Sequence, residues 1–125
     1  MAEEIKRILL VTEHNVFREA LAMCLNQEDD LEVAWQAGSI NDTRDVHLNG
    51  IDVALVDPLL PDGDGLELIR EVCVANPNAL ALVLSPKLDP ALYHQALGAG
   101  ATEVLATNTG IEEVIDAVKR SASAE

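Results

Sequence analysis

Aromatic residues are nearly absent from this chain of 125 residues, which contains one Phe, one Trp and one Tyr. Apolar residues still make up 49% of the sequence, so the composition argues against disorder and the core has to be aliphatic. A chain of this length is typical of one domain. We therefore predict a single domain over residues 1–125, folded from Ile5 to about Arg120, with Ser121–Glu125 as a frayed tail.

Basic residues are also scarce, because 8 Lys and Arg stand against 22 Asp and Glu and the net charge is −14. Proteins that grip nucleic acid or an anionic membrane present a basic face. We therefore expect this domain to make no direct contact with nucleic acid or with a membrane. In addition, no apolar run reaches the roughly 20 residues that a membrane-spanning helix needs. The N-terminal stretch MAEEIKR lacks the apolar core of a signal peptide.

Only two cysteines are present, Cys24 and Cys73, and both lie among apolar residues. This setting is typical of reduced core thiols in a cytoplasmic protein. A disulfide between the two is the less favoured alternative.

Short aliphatic runs alternate with segments whose apolar residues recur at helical spacing. The runs predict five buried strands: Ile8–Val11, Glu32–Gln36, Val53–Val56, Leu80–Leu84 and Glu103–Ala106. The helix predicted over Ser39–Asn49 is polar and has only Ile40, Val46 and Leu48 to bury. Strands that are apolar on both faces and alternate with helices indicate an α/β fold. We predict a doubly wound, flavodoxin-like, five-stranded parallel sheet of order 2-1-3-4-5 with helices on both faces.

Polar residues follow several of these strands at the point where each strand ends. Glu13 follows the first strand, Asp57 the third, Ser85 the fourth and Thr107 the fifth. In doubly wound sheets the functional crevice lies at the carboxyl ends of the strands, where the strand order reverses. We therefore expect these side chains to meet at one edge of the sheet.

Four stretches of the sequence resemble the receiver domain of bacterial two-component response regulators, of the kind that precedes a helix-turn-helix output domain. They are RILLVTEHNVFREAL, IDVALVDPLLPDGDGLELI, LALVLSP and ALGAGATEVLAT. The most specific element is the pattern D-x-x-x-P-x-x-D-G, formed by Asp57, Pro61, Asp64 and Gly65 at the end of a predicted strand. The resemblance extends from Ile5 to about Arg120.

The resemblance implies a phosphoryl-transfer site. It places Asp57 where receivers accept a phosphoryl group from a histidine kinase, and Ser85 where a hydroxyl contacts that group. It implies Mg²⁺ binding by Glu13, Asp57 and the backbone carbonyl of Leu59, which we expect to be weak or absent because Thr12 replaces the first acid of the family's pair. Thr107 replaces the lysine that neutralises the phosphoryl group. No other cofactor is implied.

Three further departures concern signalling and backbone chemistry. Val104 occupies the position of the family's aromatic switch residue. Pro58 and Pro86 follow Asp57 and Ser85, and proline has no N–H to donate to a phosphoryl oxygen. We therefore predict a degenerate receiver with impaired phosphorylation, which is no enzyme beyond self-phosphotransfer or dephosphorylation. Lys87 is expected to be a solvated loop residue rather than a substitute ammonium group.

The resemblance also implies partners. We expect a histidine kinase or another signalling protein, and a homodimer through the face made by the fourth helix, fifth strand and fifth helix. Apolar residues predicted to contribute to that face are Leu92, Ala96, Ala99, Ile111 and Val118, with plain core packing as the alternative. The domain would belong to a transcriptional regulator and act as its signalling or dimerisation module.

Three alternative functions are compatible with the sequence. The first is an ordinary phosphoaccepting receiver that uses Asp57 with Mg²⁺. The second is a ligand-binding or catalytic α/β domain on the same fold, for example one that holds a flavin, since fold alone does not fix function. The third is an adaptor that binds a partner through its acidic surface.

Overall fold

A computed structural model describes residues 4–123 of the chain. Its strands are β1 (Lys6–Val11), β2 (Leu31–Ala37), β3 (Val53–Val56), β4 (Leu59–Leu60), β5 (Gly63–Asp64), β6 (Leu80–Ser85) and β7 (Glu103–Ala106). Its α-helices are α1 (Asn15–Asn26), α2 (Gly65–Ala75), α3 (Pro90–Ala99) and α4 (Ile111–Ser123). β4 and β5 form a separate antiparallel hairpin in the loop that follows β3.

The main sheet has five parallel strands in the order β2-β1-β3-β6-β7. This order is the predicted 2-1-3-4-5 once the small hairpin is set aside, so the predicted fold class is confirmed. The chain reverses its direction of winding between β1 and β3. The carboxyl ends of those two strands therefore border the crevice where such sheets carry their functional site.

Helices cover both faces of the sheet, and alternate residues of each strand serve the two cores. In β1, Ile8 and Leu10 pack in the core beneath α1 and α4, whereas Leu9 and Val11 pack in the core beneath α2 and α3. All four side chains are fully buried. Burial of an aliphatic side chain of this size stabilises a fold by about 1.5–3 kcal/mol, so the core does not need aromatic residues.

The segment predicted as a helix over Ser39–Asn49 forms no α-helix, and that prediction is wrong. It contains two 3₁₀ turns, Asn41–Thr43 and Leu48–Gly50. The carboxylate of Asp62 accepts hydrogen bonds from the backbone N–H groups of Ile40 (2.8 Å) and Asn41 (2.9 Å). These bonds tie the segment to the loop after β3, while its few apolar side chains still reach the core.

The final helix α4 continues to Ser123, beyond the predicted end at Arg120. The hydroxyl of Ser121 donates a hydrogen bond to Glu103 Oε1 at 3.0 Å, and Ala122 is buried. These contacts hold the last turn against the sheet, so a frayed tail is wrong for residues 121–123. Ala124 and Glu125, the rest of that predicted tail, lie outside the described residues.

The apolar stripe expected on a dimer face belongs mostly to the core. Ala96, Ala99 and Val118 are buried, and Leu92 and Ile111 are partly buried against the two core clusters. The alternative of plain core packing therefore describes these side chains.

Both cysteines are free thiols, and each packs against a different face of the sheet. Cys24 lies in the core under α1 and α4, and Cys73 in the core under α2 and α3. Burial raises the pKa of the Cys73 thiol, which keeps it in its unreactive protonated form. Across residues 4–123, no helix is both long enough and apolar enough to span a bilayer.

Candidate functional site at the carboxyl edge of the sheet

Asp57 directly follows the last residue of β3, and its backbone N–H still pairs with the neighbouring strand. Its N–H donates to the carbonyl of Val11 at 2.9 Å, which continues the pairing with β1. The loop beyond it folds back tightly, since the N–H of Gly65 donates to the carbonyl of Pro58 at 2.9 Å. A Cβ at Gly65 would lie 2.1 Å from the Asp57 carbonyl oxygen. Glycine is therefore required at this position.

Asp64 holds the start of the next helix. Its carboxylate accepts a hydrogen bond from the N–H of Leu66 at 2.9 Å and caps α2. An acceptor at this position satisfies one of the free N–H groups of the first helical turn.

The carboxylate of Asp57 is 13% exposed, and each of its oxygens already accepts a hydrogen bond. Oδ2 accepts from the hydroxyl of Thr12 at 3.2 Å, and Oδ1 accepts from the N–H of Leu59 at 3.0 Å. The ring of His14 lies nearby, with Nε2 3.9 Å from Oδ2. The side chain of Asp57 is thus held in one orientation by its neighbours.

Thr12 is itself fixed by several contacts and is almost fully buried. Its N–H donates to the carbonyl of Ala37 at 3.0 Å, and its carbonyl accepts from the guanidinium of Arg18. Its hydroxyl oxygen also accepts from the N–H of His14 at 3.3 Å. The hydroxyl proton is therefore directed towards Asp57. In the sequence, the loss of an acid at this position was the only sign of that role.

Ser85 and Thr107 direct their hydroxyl protons to backbone acceptors. The hydroxyl of Ser85, which is buried, donates to the carbonyl of Lys87 at 2.7 Å. The hydroxyl of Thr107 donates to the carbonyl of Ser85 at 3.2 Å. The two residues are therefore brought together as predicted, but their hydroxyls brace the loop after β6.

The donor set implied for Mg²⁺ was Glu13, Asp57 and the carbonyl of Leu59. Mg²⁺ requires a near-octahedral set of oxygen ligands. Glu13 is exposed, and Thr12 brings a hydroxyl proton to Asp57 where a second carboxylate would bring a negative charge. Within residues 4–123, no cluster of three or more His, Cys, Asp or Glu is arranged to hold a metal ion. The residues present do not fit a tightly held Mg²⁺ ion.

A cleft of about 900 Å³ opens beside Asp57, between the loop after β3 and helix α3. Asp57, Ser85 and Lys87 line it, together with Gln95 and Asn108. The last two were not singled out from the sequence. Gln95 lies four residues after Ala91 and three after Leu92 on α3, so the three residues share one face of the helix. That spacing is the only feature of the sequence that could have placed Gln95 in the cleft.

Comparisons with known proteins agree with this architecture. Residues 8–119 match the family model described as the response regulator receiver domain. The transcriptional regulatory protein UhpA of Salmonella typhimurium is 34% identical over 113 residues, which cover 89% of this chain and 56% of UhpA. The DNA-binding transcriptional activator DevR/DosR of Mycobacterium tuberculosis is 32% identical over 114 residues, covering 90% of this chain and 52% of that protein. The chain spans about half the length of these curated relatives.

Solved structures show the same fold over nearly the whole chain. The signal receiver domain of the response regulator NarL from Mycobacterium tuberculosis superposes with a TM-score of 0.82 at 27% identity, covering 98% of this chain and 99% of that one. A CheY-like receiver domain from Methanospirillum hungatei superposes with a TM-score of 0.81 at 20% identity, covering 95% of this chain and 94% of that one, which shows the fold alone.

Proposed function

Because this chain belongs to the response regulator receiver domain family of two-component signalling, we propose that it is a degenerate receiver that signals with little or no dependence on phosphorylation. Response regulators are signalling proteins rather than enzymes, and the relatives of this chain are transcriptional regulators.

One observation carries the proposal: the groups around Asp57 are engaged with the protein itself. Thr12 and Leu59 donate to the two carboxylate oxygens, and Ser85 donates away from the site to the Lys87 carbonyl. Where receivers hold a lysine, Thr107 donates to the carbonyl of Ser85. Phosphorylation of Asp57 would convert one of its two carboxylate oxygens into the bridging oxygen of an acyl phosphate and so weaken the hydrogen bond that this oxygen accepts.

The chemistry of the phosphoryl group explains why these losses matter. Phosphoryl transfer disperses negative charge over several oxygens, which metal ions, ammonium groups and N–H donors stabilise. The site has no lysine at Thr107 and no N–H at Pro58 or Pro86. Preorganised donors at such sites are worth about 2.7–4 kcal/mol each, although their effects do not add. Formation and retention of a phosphoryl group on Asp57 should therefore be strongly impaired.

Incubation with acetyl phosphate and Mg²⁺, followed by intact-protein mass spectrometry, tests the proposal. We expect the mass to remain that of the unmodified chain, as it does for the matched variant Asp57→Asn. Addition of one phosphoryl mass to the native chain but not to Asp57→Asn would contradict the proposal.

An ordinary phosphoaccepting receiver is the second candidate, because Lys87 lines the same cleft as Asp57 and Ser85. Its ammonium group would then replace the lysine lost at Thr107, and Glu13 with the carbonyl of Leu59 would help Asp57 to bind Mg²⁺. Under this candidate the native chain is phosphorylated and Lys87→Met loses the modification. Under the degenerate receiver neither protein is modified.

The partners are also proposals. A histidine kinase or another signalling protein would contact the domain in the cytoplasm. The net charge of −14 supports the proposal that the domain itself makes no direct contact with nucleic acid or a membrane. We place the homodimer contact on the face formed by α3, β7 and α4, where Tyr93 and Leu97 remain 46% and 42% exposed. Transcriptional output would come from a DNA-binding domain like those of the relatives.

A further inference from the structure

The cleft beside Asp57 has the size and walls of a small-molecule site. Its volume of about 900 Å³ lies within the range of about 300–1,000 Å³ that is usual for ligand pockets. Most of its wall is apolar and is contributed by Pro58, Leu59, Leu66, Pro86 and Leu92. Leu59 is 80% exposed, so a ligand packed against it would remove a large apolar side chain from water.

Pro58 and Pro86 both remove N–H donors from the phosphoryl site and add apolar surface to the cleft. Pro58 and Pro86 cannot donate an N–H to an anion, and their rings line the cleft on the sides of Asp57 and Ser85. The same two residues that weaken an anion site therefore extend a surface suited to an apolar molecule.

The charges that line the cleft restrict the ligand further. Asp57, Asp64 and Asp89 contribute carboxylates, and Lys87 is the one basic residue of the lining. Asp64 and Asp89 accept from the N–H groups of Leu66 (2.9 Å) and Ala91 (3.0 Å), so two helix N-termini are already capped by carboxylates. An anionic ligand would meet three carboxylates against a single ammonium group.

Asp57 offers a polar contact to a ligand in the cleft. Each of its oxygens accepts one hydrogen bond from the protein, and a carboxylate oxygen has room for another. A hydroxyl or amino group on a ligand can therefore donate to Asp57 without displacing Thr12 or Leu59.

We propose that this cleft binds a small, largely apolar organic molecule, neutral or cationic, whose hydroxyl or amino group donates to Asp57. The inference rests on the proposed function, because a phosphoryl group on Asp57 would occupy the same end of the cleft.

Binding of Nile red, a neutral fluorescent dye, tests the cleft. We expect saturable binding that weakens by about tenfold or more in Ala91→Trp, which fills the cleft from an exposed position on α3. Val74→Trp is the matched control, because Val74 is 82% exposed on α2 and does not line the cleft. Leu59→Asp provides a second blocking variant at an exposed side chain. No saturable binding, or equal binding by all four proteins, would overturn the proposal.

The ligand class is tested by displacing the dye with two molecules of similar skeleton and opposite charge, 2-phenylethylamine and 3-phenylpropanoate. We expect the amine to displace Nile red at a concentration about tenfold lower than the acid does, and Asp57→Asn to reduce that ratio. Equal or better displacement by the acid would overturn the assigned class. These readouts do not involve phosphorylation, so failure here and failure of the proposed function are distinguishable.

Discussion

The hydroxyl of Thr12 donates a hydrogen bond to Oδ2 of Asp57 across 3.2 Å. Receivers have an acidic residue at the position of Thr12, and that acid helps to hold a cation beside the phosphoacceptor. In this chain Thr12 supplies no negative charge to attract a cation. Its hydroxyl instead restrains the carboxylate of Asp57. Thr12 thus helps to hold the unmodified carboxylate of Asp57 in one orientation.

Removing that hydroxyl should destabilise the fold. Thr12→Val keeps the shape of a side chain that is 1% exposed but takes a donor from Asp57 and an acceptor from the N–H of His14. We expect a loss of about 1–2 kcal/mol in the free energy of unfolding, measured by urea denaturation. The control Thr109→Val removes an exposed hydroxyl that donates to Ala106 and should cost under about 0.5 kcal/mol. Equal effects of the two variants would show that the Thr12 bond contributes nothing.

Restoring the two missing charges should restore part of the family chemistry. In Thr12→Asp/Thr107→Lys the second carboxylate and the ammonium group return, while Pro58 and Pro86 still lack N–H donors. We expect Mg²⁺-dependent beryllofluoride binding at least about tenfold tighter than in the native chain, measured by titration calorimetry. Addition of Asp57→Asn should abolish it. A double variant that responds no more than the native chain would mean that the missing charges are not what limits the site.

Gly65 should be irreplaceable at the turn beside Asp57. In Gly65→Ala the new Cβ would lie 2.1 Å from the Asp57 carbonyl oxygen, so the loop must move. We expect a loss of about 3 kcal/mol or more in the free energy of unfolding. Gly98→Ala is the matched control, since a Cβ there meets nothing within 4 Å inside α3 and should stabilise by about 0.5–1 kcal/mol. Similar losses in both variants would contradict the close approach at Gly65.

The loop anchored by Asp62 should weaken in acid. Hydrogen bonds from the backbone N–H groups of Ile40 and Asn41 hold the pKa of the Asp62 carboxyl below its usual value of 3.8. A carboxyl whose pKa is lowered by folding stabilises the fold above its unfolded pKa, and that contribution is lost as the pH falls through the folded pKa.

Asp62→Asn should therefore be less stable than the native chain near neutral pH, and the difference should shrink below about pH 4. Urea denaturation at several pH values measures it. Asp45→Asn, at an exposed carboxylate of the same segment, is the control and should show no such convergence. A stability difference between the native chain and Asp62→Asn that stays the same in acid would show that the charge of Asp62 does not stabilise the fold.

The sheet and the position of Asp57 could be predicted because they depend on patterns local to the chain. Continuous aliphatic runs such as Val53–Val56 identify buried parallel strands, and a doubly wound order brings their carboxyl ends together. The segment Ser39–Asn49 could not be predicted in the same way. Its backbone is anchored by Asp62, a residue some twenty positions further along the chain. Helical propensity depends on neighbouring residues and cannot reveal such a long-range contact.

The hydrogen bonds of the site could not be predicted from the sequence either. The sequence shows that Thr12, Ser85 and Thr107 carry hydroxyls, but the acceptor of each depends on the path of a neighbouring loop. The cleft depends on the distance between α3 and the loop after β3, which no spacing in the sequence encodes. Site residues could be located from the sequence, whereas the way they are engaged required the structure.

The most direct test of whether Asp57 has lost its phosphoacceptor role is a two-dimensional amide NMR titration with Mg²⁺ and then beryllofluoride, with Asp57→Asn as the control. For a degenerate receiver we expect at most small, non-saturating shifts near Glu13 on addition of Mg²⁺, and no further change with beryllofluoride. Saturable shifts at Asp57, Ser85 and Thr107 that require both additions and vanish in Asp57→Asn would contradict this expectation and identify a working phosphoacceptor.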